Sequence, residues 1–374
     1  MTNQSKIRVL QVTGSLRVGG LENVAMNILR YCDRTKYSID YLVYGDTVEP
    51  FEAEVKALGG NVIHISYPHQ GVLKYLKELK KVMRGVDGGY DIVHSHSLFN
   101  SGLVMRAAYK IGIPVRISHG HSDRRNTKVS FFRGIYNRLM QKWINRYATN
   151  RFACSEGAGR YLYGKAYSED VYIVNNGVDV DRFSYDPQKR ADVRREFGWD
   201  NCKVVGHVGR LCPVKNQKKI IDSFNYAYKE DQSLRLLIAG DGELRGELQQ
   251  QIDELGLSKV AKLVGTRNDI PSLLSAFDVY VMASFYEGVS ISLIEAQASG
   301  VHCLVSTGAA AQETRLTDCV HIMELSQSDE DWGRKIVCLL KEQRLESAVE
   351  TITEKGYNIQ DIVAKEMRFY GEIR

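Results

Sequence analysis

Glu287-Gly-Val-Ser-Ile-Ser-Leu-Ile-Glu295-Ala-Gln-Ala-Ser-Gly300 follows an apolar run at 279–283 and carries two glutamates eight positions apart. The apolar run reads as a buried strand. Glu287 and Gly288 read as the loop that leaves it, and Ser290 or Ile291 as the opening of a helix that carries Glu295. The first N–H groups of a helix have no partner within it, and the aligned peptide dipoles place partial positive charge there. The backbone of Gly288, Val289 and Ser290 is therefore expected to receive an anion such as a phosphate. One carboxylate before the helix and one inside it would accept hydrogen bonds from sugar or ribose hydroxyls. Strand, loop, helix and a further apolar run make one βα unit of a parallel sheet.

The unit recurs on both sides. Runs at 203–208, 234–239, 261–264 and 303–306 read as strands of the same sheet, each followed by a helix or loop. The first half repeats the pattern, with strands expected at 7–12, 37–43, 61–65, 91–94 and 115–118 and helices at 21–31, 49–58 and 72–84. The expected fold is α/β, with two Rossmann-like doubly wound domains facing across a cleft. A chain of 374 residues is too long for one ordinary core and suits two domains. Asn176-Gly177 is a turn signal and places the linker near 175–187. The expected domains are residues 1–183 and 184–357.

No apolar run reaches the length of a membrane span. The polar start leads straight into a strand, so no signal peptide is expected. The seven cysteines show no paired metal spacing and read as reduced cytosolic thiols. Charge is unevenly spread. Residues 1–183 hold 26 Lys+Arg against 16 Asp+Glu, whereas the remainder holds 24 against 29. A basic first half points to an anionic partner surface. Residues 124–151 concentrate this charge, with eight Arg or Lys, no acid, and Phe131, Phe132, Tyr136, Trp143 and Tyr147 interleaved. That composition suits an anionic lipid surface. No nucleic-acid motif accompanies it, and nucleic acid is not an expected partner.

Further motifs follow other strands. Gly14-Ser-Leu-Arg-Val-Gly-Gly20 leaves the first strand, and its spacing does not support a nicotinamide dinucleotide. Gly209-Arg210 ends the first strand of the second half, with Lys215-Asn216 just before a helix. Cations at a strand's C-terminal end lie where such sheets bind ligands, and both can grip phosphate. Ala239-Gly-Asp-Gly-Glu243 and Gly265-Thr-Arg267 end the next two strands. His94, His96, His119 and His121 follow two strands of the first half without a recognised zinc spacing, so no metal site is expected. Asp179-Val-Asp181 has the look of a metal-binding pair but reads as a hydrated turn.

Together these motifs resemble the family-4 retaining glycosyltransferases, which have the GT-B fold. The resemblance covers nearly the whole chain and is strongest over residues 204–300. It implies a retaining, metal-independent transfer from a nucleotide sugar, with a UDP-sugar expected, and no cofactor. Glu295 would hold the ribose, Gly288, Val289 and Ser290 the phosphate, and Glu287 the transferred sugar. Arg210 and Lys215 would stabilise the departing diphosphate. Gly19 and Gly20 would face the donor diphosphate or the acceptor, and the backbone near Arg267 the base. His119 or His121 would lie near the transferred group. The family usually ends in a helix that returns to the first domain, here about 358–374. The stretches at 113–121 and 294–300 look like the branch that builds bacterial capsule or exopolysaccharide. The acceptor would then be a lipid-linked saccharide, with the protein peripheral on the cytoplasmic face of the membrane. A GT-B nucleotide-sugar epimerase and a non-catalytic nucleotide-sugar-binding protein of a synthesis complex are the alternatives.

Overall fold

The computed structural model describes residues 6–17, 20–85, 89–122, 130–309 and 314–373. It divides into two compact units, residues 1–176 with 359–374, and residues 177–358.

The first unit holds a parallel sheet of seven strands. These are β1 (Ile7–Gly14), β2 (Tyr37–Tyr44), β3 (Val62–Ile65), β4 (Ile92–Ser95), β5 (Val115–Gly120), β6 (Asn150–Ala153) and β7 (Tyr172–Ile173). Their order across the sheet is β3-β2-β1-β4-β5-β6-β7. The second unit holds six parallel strands: β8 (Lys203–Val208), β9 (Leu234–Ala239), β10 (Ala261–Leu263), β11 (Val279–Met282), β12 (His302–Ser306) and β13 (Val320–Met323). Their order is β10-β9-β8-β11-β12-β13. Central strands such as β11, which is buried along its whole length, are continuous apolar runs because helices cover both faces. Apolar clusters lie against both sheets. Strands β6, β7 and β13 were not expected from the sequence. They are short, with β7 and β13 ending their sheets and β6 next to the end, where pairing with an existing strand rather than a long apolar run defines the element.

In both sheets the order reverses direction once, between β1 and β4 and between β8 and β11. At such a switch point the two following loops run to opposite faces and leave a crevice at the carboxyl ends of the strands. Arg210, Lys215, Glu287 to Ser290 and Glu295 lie on loops at these carboxyl ends or on the helix that follows, and His94 and His119 lie in the last residues of β4 and β5 themselves.

The boundary falls at Asn176/Gly177 rather than after Phe183. Val178 pairs with Asn358, and Val180 and Phe183 pack with Leu293 and Ile294, which ties this segment to the second unit. Asp179 caps a short helix, Val180–Phe183, by accepting from Arg182 N at 3.0 Å. The Asp179-Val-Asp181 segment is thus a turn that forms the capped start of a short helix, with Asp181 exposed. The last helix, Ile359–Glu372, belongs to the first unit. Ile362, Val363, Met367 and Tyr370 pack there with Val9, Ile39 and Tyr41. Burying such side chains stabilises by about 1.5–3 kcal/mol each, which holds the chain end on this unit.

Candidate active site

In the second unit the loops after β8, β9 and β11 meet. Gly240, at φ +140°, leads the β9 loop past Gly209, and a Cβ there would stand 2.0 Å from the Gly209 oxygen. Only glycine permits that approach. Gln217 Nε2 donates to the Arg210 carbonyl at 2.8 Å and lies 3.3 Å from His207 Nε2, while His207 Nδ1 lies 2.8 Å from the Val281 oxygen. Burial lowers the His207 pKa to about 4, so this ring is neutral. The pair His207 and Gln217 therefore fixes the backbone that presents Arg210. Neither was singled out from the sequence, since neither has a telling neighbour. The Arg210 side chain is exposed and has no hydrogen bond or ion pair among the described residues.

Lys215 and Glu287, assigned separate tasks from the sequence, form an ion pair at 2.6 Å with side chains 17% and 14% exposed. Ser284 Oγ donates to the same carboxylate oxygen at 2.7 Å. Backbone contacts hold the two loops in register: Phe285 N donates to Val214 O at 2.9 Å, and Glu287 N to Gly308 O at 3.0 Å. The helix opens at Ile291. The N–H groups of Gly288, Val289 and Ser290 have no backbone partner among the described residues. Glu295 stands one turn into that helix, half-buried, and desolvation pushes its carboxyl up to about 8 against a weaker opposing pull from Arg182. Arg267 is differently employed. Its guanidinium pairs with both Asp269 and Glu196 at 2.7–2.9 Å, and these bonds raise its pKa further.

In the first unit, parallel register sets Gln11 of β1 beside His94 of β4, and Ser95 beside Ser118 of β5. The ends of β4 and β5 and the loops just beyond them then stack His94, His96, His119 and His121, with ring centroids 4.0–5.2 Å apart. His94 Nε2 lies 3.1 Å from His119 Nδ1, and His96 Nδ1 lies 2.7 Å from His121 Nε2. Behind them, His96 Nε2 meets Gln11 Oε1 at 2.7 Å and His94 Nδ1 meets Tyr370 Oη at 2.5 Å. Desolvation pushes His96 and His119 well below the usual imidazole range, and His121 to about 3. The ring nitrogens of His94, His96 and His119 lie within 4.8 Å of one another, a grouping able to hold a metal ion. Spacing along the chain does not show this grouping, because its members come from β4, the loop after it and β5. Gly20 opens the helix Gly20–Tyr31, and Gly19 lies outside the described residues.

The basic, aromatic stretch forms the helix Phe131–Tyr147, and its residues 124–129 lie outside the described ones. Met140 and Ile144 face the core, while Phe131 and Phe132 are 77% and 81% exposed. A second basic helix, Val72–Arg84, exposes Leu73, and a shallow groove there is lined by Leu76, Lys77, Lys80 and Lys81. No helix among the described residues is long and apolar enough to cross a membrane.

Two Rossmann-like units, each with a switch point in its strand order, define the GT-B architecture, and comparison with known proteins agrees. Residues 18–182 match the family model Glycosyltransferase Family 4, and residues 189–356 match Glycosyl transferases group 1. The chain belongs to the family 4 glycosyltransferases. It is 29% identical to EpsF of Bacillus subtilis (strain 168), itself only provisionally assigned as a glycosyltransferase, over 98% of this chain and 97% of that one. It is 27% identical to the UDP-Gal:alpha-D-GlcNAc-diphosphoundecaprenol alpha-1,3-galactosyltransferase of Escherichia coli, over 82% of this chain and 80% of that one. The fold matches Anabaena Alr3699/HepE, solved in complex with UDP, at a TM-score of 0.81 and 22% identity, covering 98% of this chain and 100% of that one.

Proposed function

We propose that this glycosyltransferase moves a sugar from a UDP-sugar to a lipid-linked saccharide in bacterial polysaccharide assembly, with retention and without a metal. The observation that carries the reading is the Lys215–Glu287 ion pair between the loops after β8 and β11, with Arg210 on the first of these loops and, on the second, the amides of Gly288 to Ser290, which have no backbone partner among the described residues, followed by Glu295 in the helix. Breaking the bond from the sugar to the diphosphate leaves negative charge on phosphate oxygens. Prepositioned cations and amides lower the energy of that charge without reorganisation. Lys215 would exchange Glu287 for phosphate as donor binds, and the released carboxylate would accept from hydroxyls of the sugar. Glu295 would accept from the ribose. The acceptor oxygen bonds to the sugar carbon on the face the diphosphate leaves, and the acceptor proton passes to a leaving phosphate oxygen. With two cations and a helix terminus at the diphosphate, no metal is required.

UDP as the base-bearing group is supported by the Escherichia coli relative's UDP-Gal donor and by solved UDP and UDP-glucose complexes of the Anabaena protein. The diphosphoundecaprenol acceptor named for the same relative supports a lipid-linked acceptor. So do the exposed Phe131, Phe132 and Leu73 among lysines and arginines, which suit a peripheral site on the cytoplasmic face of an anionic membrane. The test is a transfer assay with UDP-sugars and undecaprenyl-diphosphate sugars, run with and without EDTA, with the product anomer read by NMR. An inverted product, or activity abolished by EDTA and restored by manganese, overturns the mechanism. Conversion of the donor without any acceptor points to the epimerase alternative.

A further inference from the structure

The segment from Ser284 to Glu287, on the loop after β11, is fixed along its main chain. Ser306 Oγ, at the end of β12, donates to the Ser284 carbonyl at 2.5 Å. Phe285 N donates to Val214 O at 2.9 Å, and Glu287 N to Gly308 O at 3.0 Å. The approach to the loop after β12 is close, since a Cβ on Gly308 would stand 2.1 Å from the Phe285 oxygen. With the main chain held, the place of the Glu287 carboxylate depends on its own rotamer and on what grips its oxygens.

Both grips fall on the same oxygen. Glu287 Oε1 meets Lys215 Nζ at 2.6 Å and Ser284 Oγ at 2.7 Å, while Oε2 has no hydrogen bond or ion pair among the described residues. The two donors differ in how easily a ligand removes them. Lys215 carries a point charge on a flexible stem, which a diphosphate can draw away. Ser284 is uncharged, fully buried, and part of the clamped segment itself. A diphosphate that takes Lys215 therefore leaves the serine grip in place, and a hydroxyl donating to an ionised carboxylate makes one of the stronger hydrogen bonds. Without that grip the carboxylate would spread over several rotamers once the lysine had gone.

We propose that Ser284 is a positioning residue for transfer, which keeps the Glu287 carboxylate in one place after Lys215 has moved to the diphosphate, so that Oε2 can accept from a hydroxyl of the transferred sugar. The proposal rests on the roles given to Glu287 and Lys215 above. Ser284 itself touches no substrate and acts through Glu287. Ser284→Ala removes one grip and leaves the ion pair. UDP must then displace the same carboxylate from Lys215 as before, so its affinity should stay near the wild-type value. Once donor is bound, the carboxylate is no longer fixed, and kcat should fall about 10–100-fold.

The experiment is a double-mutant cycle in the full-length protein: wild type, Ser284→Ala, Glu287→Ala and the double variant. Each is measured for UDP binding by calorimetry, for kcat in the transfer assay above, and for fold by thermal melts. Ser284→Ala should lower kcat with UDP affinity retained, and the double variant should be no slower than Glu287→Ala alone. Ser284→Cys, close in size but a weak donor, should behave as Ser284→Ala does. Normal turnover in Ser284→Ala, losses that multiply in the double variant, or full turnover in Ser284→Cys alone would each overturn the positioning role while leaving Glu287 at the sugar. Normal turnover in Glu287→Ala would instead remove Glu287 from the sugar, and this proposal with it.

Discussion

Glu287→Gln tests the ion pair at the centre of the donor site. In the unliganded protein the Glu287 carboxylate holds the Lys215 ammonium at 2.6 Å. A diphosphate must displace it to use that cation, and must also approach a like charge. Exposed pairs contribute about 0–1 kcal/mol and fully buried ones several times more when broken, and side chains 17% and 14% exposed lie between. Replacing the carboxylate by a neutral amide leaves a weaker hydrogen bond to Lys215, so the competition should drop by about 1–2 kcal/mol. UDP should therefore bind roughly 5–30-fold more tightly to Glu287→Gln than to the wild type. Transfer should move the other way, because the carboxylate meant for the sugar is gone. Isothermal titration with UDP, paired with a transfer assay, measures both. The gain in UDP affinity should shrink as salt is raised. Equal or weaker UDP binding by Glu287→Gln would refute the idea that Glu287 guards Lys215.

Arg210→Ala or Lys215→Ala should each lower turnover by about 10²-fold or more, since each removes charge from the developing diphosphate, and near-normal turnover in both would sink that role. Glu295, pushed up to about 8, holds its proton in the folded protein at pH values where the unfolded chain has lost it. Stability should thus decline as pH rises from about 4.5 to about 8, and Glu295→Gln should raise Tm relative to the wild type at pH 8 but not at pH 4, as followed by thermal melts. The exposed aromatic and basic helices predict sedimentation with anionic liposomes at low salt and release as salt rises, each nearby Lys or Arg contributing roughly 1 kcal/mol. Replacing Arg133, Arg138, Lys142 and Arg146 by glutamine should weaken this while UDP binding persists, and a wild type indifferent to anionic liposomes would return these helices to a solvated role.

The sequence by itself determined the α/β architecture of two parallel-sheet units, because local side-chain pattern suffices for it. Runs such as Val279–Met282 can only be strands buried on both faces, and their regular alternation with helices leaves little but parallel sheets. It also picked out the loops proposed here to carry ligand chemistry, since Gly209-Arg210, Lys215 and Glu287 to Ser290 follow such strands. Only the tertiary structure decided which of these side chains touch. Lys215 meets Glu287 because strand order makes β8 and β11 neighbours, a fact that no spacing along the chain records. Arg267 is held by Glu196, far from it in sequence. The histidine network is the clearest case. His94 and Tyr370 stand 276 positions apart and share a hydrogen bond because the last helix returns to the first sheet. Periodicity reports which face of an element is buried. Which side chains that burial brings within hydrogen-bond reach depends on sheet register and on partners from distant segments.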